Sequence, residues 1–262
     1  VSRPAVPMPK VFMSFVSSSE RSGIMQQKRK KLCFVLPEYA SATHFTYVAE
    51  FVEALAEEFE IFLIVEKGVL PETSRVSRRY RVRSRFTPLR IFETFFLLLR
   101  ARSLGFRIQY IHYSFVGAIG SGMITRLFGG RTLYWNCGMP WKYTRPRIQE
   151  WYEHLAFRFI HILVTGADAL VSGYARYYGI SAESIVVIPN WVDVAATDRI
   201  VAHHDNASLR QELAIPLDAP ILLFVHRLAR RKGAHLLPDI LAQVKHSDAI
   251  LVVVGDAPER GA

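Results

Sequence analysis

Short uninterrupted apolar runs alternate with longer amphipathic stretches along most of this chain, and that alternation restricts its fold more than any other feature. Leu32-Cys33-Phe34-Val35-Leu36 has no polar face, as a strand covered on both sides of a parallel sheet requires. From Val48 the apolar residues Val48, Phe51, Val52, Leu55 and Phe59 recur at three- and four-residue steps. Glu50, Glu53, Glu57 and Glu58 take the other side, which makes an amphipathic helix. Ile61-Phe62-Leu63-Ile64-Val65 then repeats the strand signature. A β-α-β opening needs a right-handed crossover and belongs to a doubly wound α/β layer.

The pattern continues with helices near 91–103 and 116–127, strands at 108–111 and 132–135, and a long amphipathic stretch over 147–163. A strand over 169–171, a helix near Tyr174 and a strand over 185–188 complete one Rossmann-like lobe of about six strands, near the usual ~5–6. After Pro189-Asn190-Trp191-Val192-Asp193 the composition turns polar and reads as a linker to Asn206, and Ser208-Leu209-Arg210-Gln211 reads as a capping box. A second α/β lobe starts with a strand over 221–225, a helix over 236–244 and a strand over 250–254. Two strands fall short of a Rossmann sheet, so the expectation is a chain cut inside its second domain. The predicted domains are a disordered basic extension (1–31), an N-terminal Rossmann-like lobe (32–192) and the incomplete start of a C-terminal lobe (193–262). Met25 reads as an ordinary start, which would leave the preceding 24 residues as upstream translation.

Composition excludes several classes. Half of the 262 residues are apolar and 21% are charged, which suits a globular protein and not a disordered one. Cys33 and Cys137 form neither a disulfide framework nor a metal-ligand spacing, so no metal and a reducing cytoplasm are expected. The start lacks the apolar stretch of a signal peptide, and the longest apolar runs fall far below the ~20 residues that span a bilayer. The net charge of +10 is local. Ten Arg and a single acid, Glu93, lie between Arg75 and Arg107, giving that stretch +9. This speaks against a nucleic-acid binder and for one electropositive face. The face wraps an apolar segment, 89–99, and suits either peripheral attachment to the inner face of a membrane or a solvated loop beside a core helix.

The strongest chemical signal is Val225-His226-Arg227-Leu228-Ala229-Arg230-Arg231-Lys232-Gly233, at the carboxyl end of an apolar strand and before a helix. Ligands bind at that edge of doubly wound sheets, and a helix N-terminus favours an anion. Arg227 and Lys232 can hold a diphosphate from two directions, each charge-assisted bond contributing ~1.5–3 kcal/mol before desolvation. A solvated basic turn is the bland alternative. In the first lobe, His112 ends a strand within Tyr110-Ile111-His112-Tyr113-Ser114. Thr43 and His44, in the first β-α loop, are candidates for helix capping or for contact with a bound substrate. Leu133-Tyr134-Trp135-Asn136-Cys137-Gly138-Met139-Pro140-Trp141 is either a sugar-binding surface, with Asn136 and Trp141 as contacts, or a buried aromatic corner. Gly117, Gly120 and Gly122 run in the order G-x-x-G-x-G, the reverse of a dinucleotide fingerprint, and read as close helix packing; a nicotinamide-dependent oxidoreductase is disfavoured.

Arg227-Leu228 followed after three residues by Lys232-Gly233 resembles the G-R-L-x-x-x-K-G segment of family-4-type glycosyltransferases with the two-lobed GT-B fold. Ala167-Asp168-Ala169-Leu170-Val171-Ser172, Ile188-Pro189-Asn190-Trp191-Val192-Asp193 and Val254-Gly255-Asp256-Ala257-Pro258 are similar to three further segments of that family, in family order. His226, Trp191 and Ala257 stand where the family has glycine, and the first β-α loop lacks the family's glycines. The resemblance implies retaining transfer of a sugar from a nucleotide-sugar donor, with no cofactor and no metal, to a glycan or lipid-linked acceptor in cell-surface polysaccharide or glycolipid synthesis. It implies that Arg227 and Lys232 bind the donor diphosphate, that His112 is the catalytic-centre residue beside the transferred sugar, and that His226 is a further donor or acceptor contact. The family's acidic E-x(7)-E segment would lie beyond Ala262, so the chain by itself is expected to be inactive. A non-catalytic α/β module that binds anionic membrane surfaces is the alternative.

Overall fold

The structure, a computed structural model, describes residues 29–39, 46–72, 75–76, 78–189, 194–203, 206–244 and 248–255. The chain divides into two compact units, 1–192 and 193–262.

The first unit is built on seven parallel strands: β1 (Lys30–Leu36), β2 (Phe59–Val65), β3 (Arg78–Arg81), β4 (Ile108–His112), β5 (Arg131–Trp135), β6 (Ile162–Thr165) and β7 (Ile185–Val187). Their order is β3-β2-β1-β4-β5-β6-β7. The chain therefore winds outward to one side of β1 and then to the other, and the β1/β4 boundary is the switch point where ligands bind in such sheets. Leu32 pairs with Ile61 on one side and Ile108 on the other, and His112 pairs with Trp135.

Strand alternation sorts the side chains into two cores. Leu32, Phe34, Leu36, Tyr110 and Trp135 face α1 (Thr46–Leu55), whose Val48, Phe51, Val52 and Leu55 complete that core. Cys33, Val35, Ile64, Ile111 and Tyr134 face the other way. There they meet α2 (Thr87–Ser103), α3 (Phe115–Phe128), α4 (Arg147–Phe159) and α5 (Val171–Tyr178). Gly122 is the reason α3 and α4 come close: a Cβ there would sit 2.6 Å from the Phe159 carbonyl oxygen. Close helix packing, expected from the glycine series, is what that position does.

The second unit holds α6 (Val194–His203), α7 (Asn206–Glu212), β8 (Ile221–Val225), α8 (Leu237–Ala242) and β9 (Ile250–Val254), with β8 and β9 paired in parallel. Leu223 and Val225 of β8 are exposed.

Several sequence expectations need correction. β3 was not foreseen, because Arg-Arg-Tyr-Arg carries no apolar run. As an edge strand it needs only one partner, and its charges block further pairing. Its Tyr80 stacks on Phe62 at 4.6 Å and Arg78 reaches Glu60 at 3.5 Å. The expected strand over 169–171 is instead a 3-10 turn (Asp168–Leu170) followed by the first residue of α5. The strand in that region is β6. Its Ile-Leu-Val continues the apolar pattern of α4 with only Ile160 and His161 between them, so the helix period hid it. The expected linker contains α6, carried by good helix formers such as Ala195 and Ala202 and not by a buried stripe. Ser208 lies inside α7 and does not cap it. Lys30 and Lys31, assigned to the basic extension, are the first residues of β1.

Candidate functional site

In the second unit the chain leaves β8 at His226, whose backbone N–H donates to the Val254 carbonyl of β9 at 3.0 Å. A Cβ at Gly255 would meet the His226 carbonyl oxygen at 2.0 Å, and Gly255 has φ +151°. Only glycine permits that approach of the two strand ends. His226 Nδ1 accepts the Arg227 backbone N–H at 2.7 Å, which places the imidazole proton on Nε2 and occupies one backbone donor of this loop. Lys232 ends a 3-10 turn, Arg230–Lys232, closed by Gly233 at φ +79°. Arg227 and Lys232 are both exposed, and among the described residues neither makes an ion pair within 4.0 Å. The helix expected over 236–244 is α8, Leu237–Ala242. A second 3-10 turn, Ala234–Leu236, separates α8 from this segment.

In the first unit, side chains at the carboxyl edge separate onto the two faces of the sheet. His112, the last residue of β4, lies on the α1 side and is only 4% exposed. Its ring stacks on Trp135 at 4.5 Å and 10°, with Tyr113 edge-on at 5.1 Å. Burial pushes its pKa down to about 3, so the imidazole is neutral at physiological pH. Tyr113 takes φ +56°, an uncommon conformation for a side chain with a Cβ; its backbone N–H donates to Trp135 O at 3.1 Å.

The aromatic corner is a buried one. Trp135 is 2% exposed. Asn136 Nδ2 donates to the Tyr134 hydroxyl at 3.2 Å, and its Oδ1 accepts from Gly138 N–H at 3.0 Å and from the Tyr174 hydroxyl at 2.9 Å. Trp141 packs edge-on against Tyr174 at 5.2 Å, over Gly173, where a Cβ would lie 2.3 Å from the indole. Asn136 is thus a hub that ties β5 to α5, and Trp141 is partly buried against the same helix. Thr43, His44 and residues 190–193 and 256–258 lie outside the described residues.

On the opposite face, a pocket of about 250 Å³ opens at the ends of β1, β2 and β4 between the first turns of α2 and α3. Its polar lining includes Glu38, Glu66, Lys67, Arg90, Thr94 and Ser114. Sequence reading singled out none of Glu66, Lys67, Arg90 and Thr94 as site residues. The available signal was the position of Glu66-Lys67 immediately after an apolar strand. Gly68, at φ +87°, lets the loop after β2 run against Tyr39, whose N–H donates to Lys67 O at 3.1 Å, and this fixes both residues. Ser114 Oγ lies 2.8 Å from both carboxylate oxygens of Glu66 and donates to them; it also caps α3 by accepting Gly117 N–H at 2.9 Å. Burial raises the Glu66 pKa to about 7 against the hydrogen bond from Ser114 and the charges of Arg90 and Lys67.

The segment 45–196 matches the model of Glycosyltransferase Family 4, and 205–261 matches that of Glycosyl transferases group 1. Among curated proteins, the D-inositol 3-phosphate glycosyltransferase of Xylanimonas cellulosilytica is 34% identical over 110 residues, covering 37% of this chain and a quarter (25%) of that one. Among solved structures, Anabaena HepE, determined with UDP and glucose, superposes with a TM-score of 0.65 at 15% identity over 88% of this chain and 62% of that one. A glycosyltransferase from Rickettsia africae gives 0.64 at 17% identity, over 88% of this chain and 61% of that one. These likenesses show the GT-B type of α/β fold. Because the first family model spans more than half of the 262 residues, the chain belongs to glycosyltransferase family 4.

Proposed function

We propose that this chain is part of a retaining glycosyltransferase that moves a sugar from a nucleotide-sugar donor to a glycan or lipid-linked acceptor, in cell-surface polysaccharide or glycolipid synthesis. Family membership and the names of its relatives support the reaction class. The observation that carries the donor assignment is the loop after β8. There Arg227 and Lys232 are exposed and without ion pairs among the described residues, in a segment whose backbone is held by β9 through His226 and Gly255. As the glycosidic bond breaks, charge grows on the leaving diphosphate, and fixed cations stabilise that transition state more than the ground state. The reading needs no cofactor beyond the nucleotide-sugar co-substrate. His112 enters it as a neutral hydrogen-bonding group at the end of β4, since its burial excludes a proton-carrying role near neutral pH.

A cytoplasmic protein on the inner membrane face fits the exposed side of α2. Leu89, Phe92 and Phe96 stand out at 57%, 71% and 62% exposure beside the exposed Arg83, Arg85 and Arg100. Five other arginines of the basic stretch are already engaged. Arg75 and Arg78 pair with Glu57 and Glu60, and Arg79, Arg81 and Arg102 bond backbone carbonyls. No helix of the described residues is long and apolar enough to cross a membrane.

The test is release of nucleoside diphosphate from a panel of nucleotide sugars by the full-length protein carrying this chain. Lys232→Ala is expected to lower turnover about a hundredfold with an unchanged melting temperature. Unchanged turnover refutes the role of Lys232.

A further inference from the structure

We infer that the pocket between the first turns of α2 and α3 is a subsite for a tetrahedral oxyanion, such as the phosphate of a small hydroxylated ligand, with Arg90 and Lys67 as its cations and Thr94 as its hydroxyl. The pocket lies on the α2/α3 face of the sheet edge, whereas His112 belongs to the α1 face, and it shares no residue with the loop after β8.

Four independent features converge there. Both flanking helices direct their N-termini at the cavity: Thr87 opens α2, and Phe115 and Val116 open α3. At α2 the N-cap residue is Phe86, with no side chain bonded to the first turn; Pro88 has no N–H and the Arg90 N–H already donates to Phe86 O at 3.0 Å, which leaves the Thr87 and Leu89 N–H groups for a ligand. Arg90 and Lys67 line the same space and, among the described residues, have no ion-pair partner within 4.0 Å. Thr94 is 1% exposed and its hydroxyl oxygen has no hydrogen-bond partner, an orphan that a ligand oxygen would satisfy. The volume sits just under the ~300–1,000 Å³ of small-molecule sites, enough for an anion with a small polyol attached.

Glu66 makes occupancy depend on protonation. The groups facing it are Ser114 from the start of α3, Arg90 from α2, Lys67 beside it, and Glu38 and Tyr113 from the loops after β1 and β4. An ionised Glu66 offsets one of the two positive charges and repels an incoming anion. A protonated Glu66 offsets neither and donates its own hydrogen to the ligand. Binding therefore tightens as pH falls through the Glu66 titration.

Naming the ligand as the sugar acceptor rests on the transferase reading; the anion site itself does not. The test uses the chain with Arg227→Ala and Lys232→Ala, so that the loop after β8 contributes no anion binding and a failure of either idea is separately visible. Sulfate, whose charge is constant between pH 6 and 8, is titrated by calorimetry or by nuclear magnetic resonance. The expected result is saturable binding, about threefold to tenfold tighter at pH 6 than at pH 8. Arg90→Lys and Thr94→Val, which keep charge or shape, are expected to weaken it severalfold, and Glu66→Gln to remove the pH dependence. Glycerol 3-phosphate should compete with sulfate and glycerol should not. Absence of saturable binding, indifference to both Arg90→Lys and Thr94→Val, or a pH dependence that survives Glu66→Gln overturns the proposal.

Discussion

At the scale of single residues, position relative to a strand end decides what a charged side chain can do. Glu66 is held in a partly apolar edge with its pKa at about 7, so folding is linked to its protonation. The sign follows from the raised value. The stability it contributes is fully present below the unfolded carboxyl pKa, near ~4.3, and is lost as pH rises to about 7. Glu66→Gln keeps the shape without the charge. It is expected to stabilise the protein by about 2 kcal/mol at pH 8 and by close to nothing at pH 4.5, measured by urea denaturation at the two pH values. A destabilisation at pH 8 would show that the carboxylate is not the strained form. His112 carries the opposite sign. With its pKa near 3, its contribution is present above the usual histidine range and is lost as pH falls from about 6.5 toward 3. The sequence showed His112 at a strand end but not its stacking on Trp135, because the residue that meets it belongs to a neighbouring strand paired only in three dimensions.

At the scale of elements, two contacts hold the helical layer on the α2–α5 face. Gly122 brings α3 onto the backbone of Phe159 at the end of α4. Gly122→Ala is expected to cost about 1–3 kcal/mol in chemical denaturation, since both neighbours are backbone or its first side-chain atom and cannot rotate away. A neutral result would mean that the two helices separate without loss. Glu153 of α4, 3% exposed, pairs with Arg145 and accepts the Tyr178 hydroxyl of α5 at 2.7 Å. Removing it as Glu153→Ala strands a buried guanidinium and should cost about 3–5 kcal/mol. The glycine contact was legible, because small residues at helical spacing have few other uses. The carboxylate was not, because Glu153 sits in a stretch that reads as an ordinary charged face until Arg145, eight residues upstream, folds back on it. β3 stayed hidden for a related reason: an edge strand needs neither an apolar run nor two covered faces, and its Arg78 lies over Phe106 and beside Glu60.

At the scale of the whole molecule, the doubly wound layer was readable because continuous apolar runs separated by helical periods admit few other arrangements. The loop after β8 was readable as a candidate site because its basic residues follow such a run. The pocket at the β1/β4 switch point was not, since its lining comes from three strand ends and two helices spread between Pro37 and Val116. The exposed ridge of α2 makes a separate prediction about the surface. Phe92→Ser with Phe96→Ser should leave the melting temperature unchanged while lowering sedimentation with anionic liposomes about tenfold, and binding by the parent should weaken with salt. Equal sedimentation of both proteins would remove this face from any membrane contact. The central claim is that Arg227 and Lys232 grip a diphosphate. It is tested most directly by calorimetric titration of UDP, GDP and ADP into the full-length protein and its Arg227→Ala and Lys232→Ala variants. The account predicts that at least one of these nucleotides binds and that each substitution weakens it about tenfold or more. Binding of undiminished strength in both variants would contradict it.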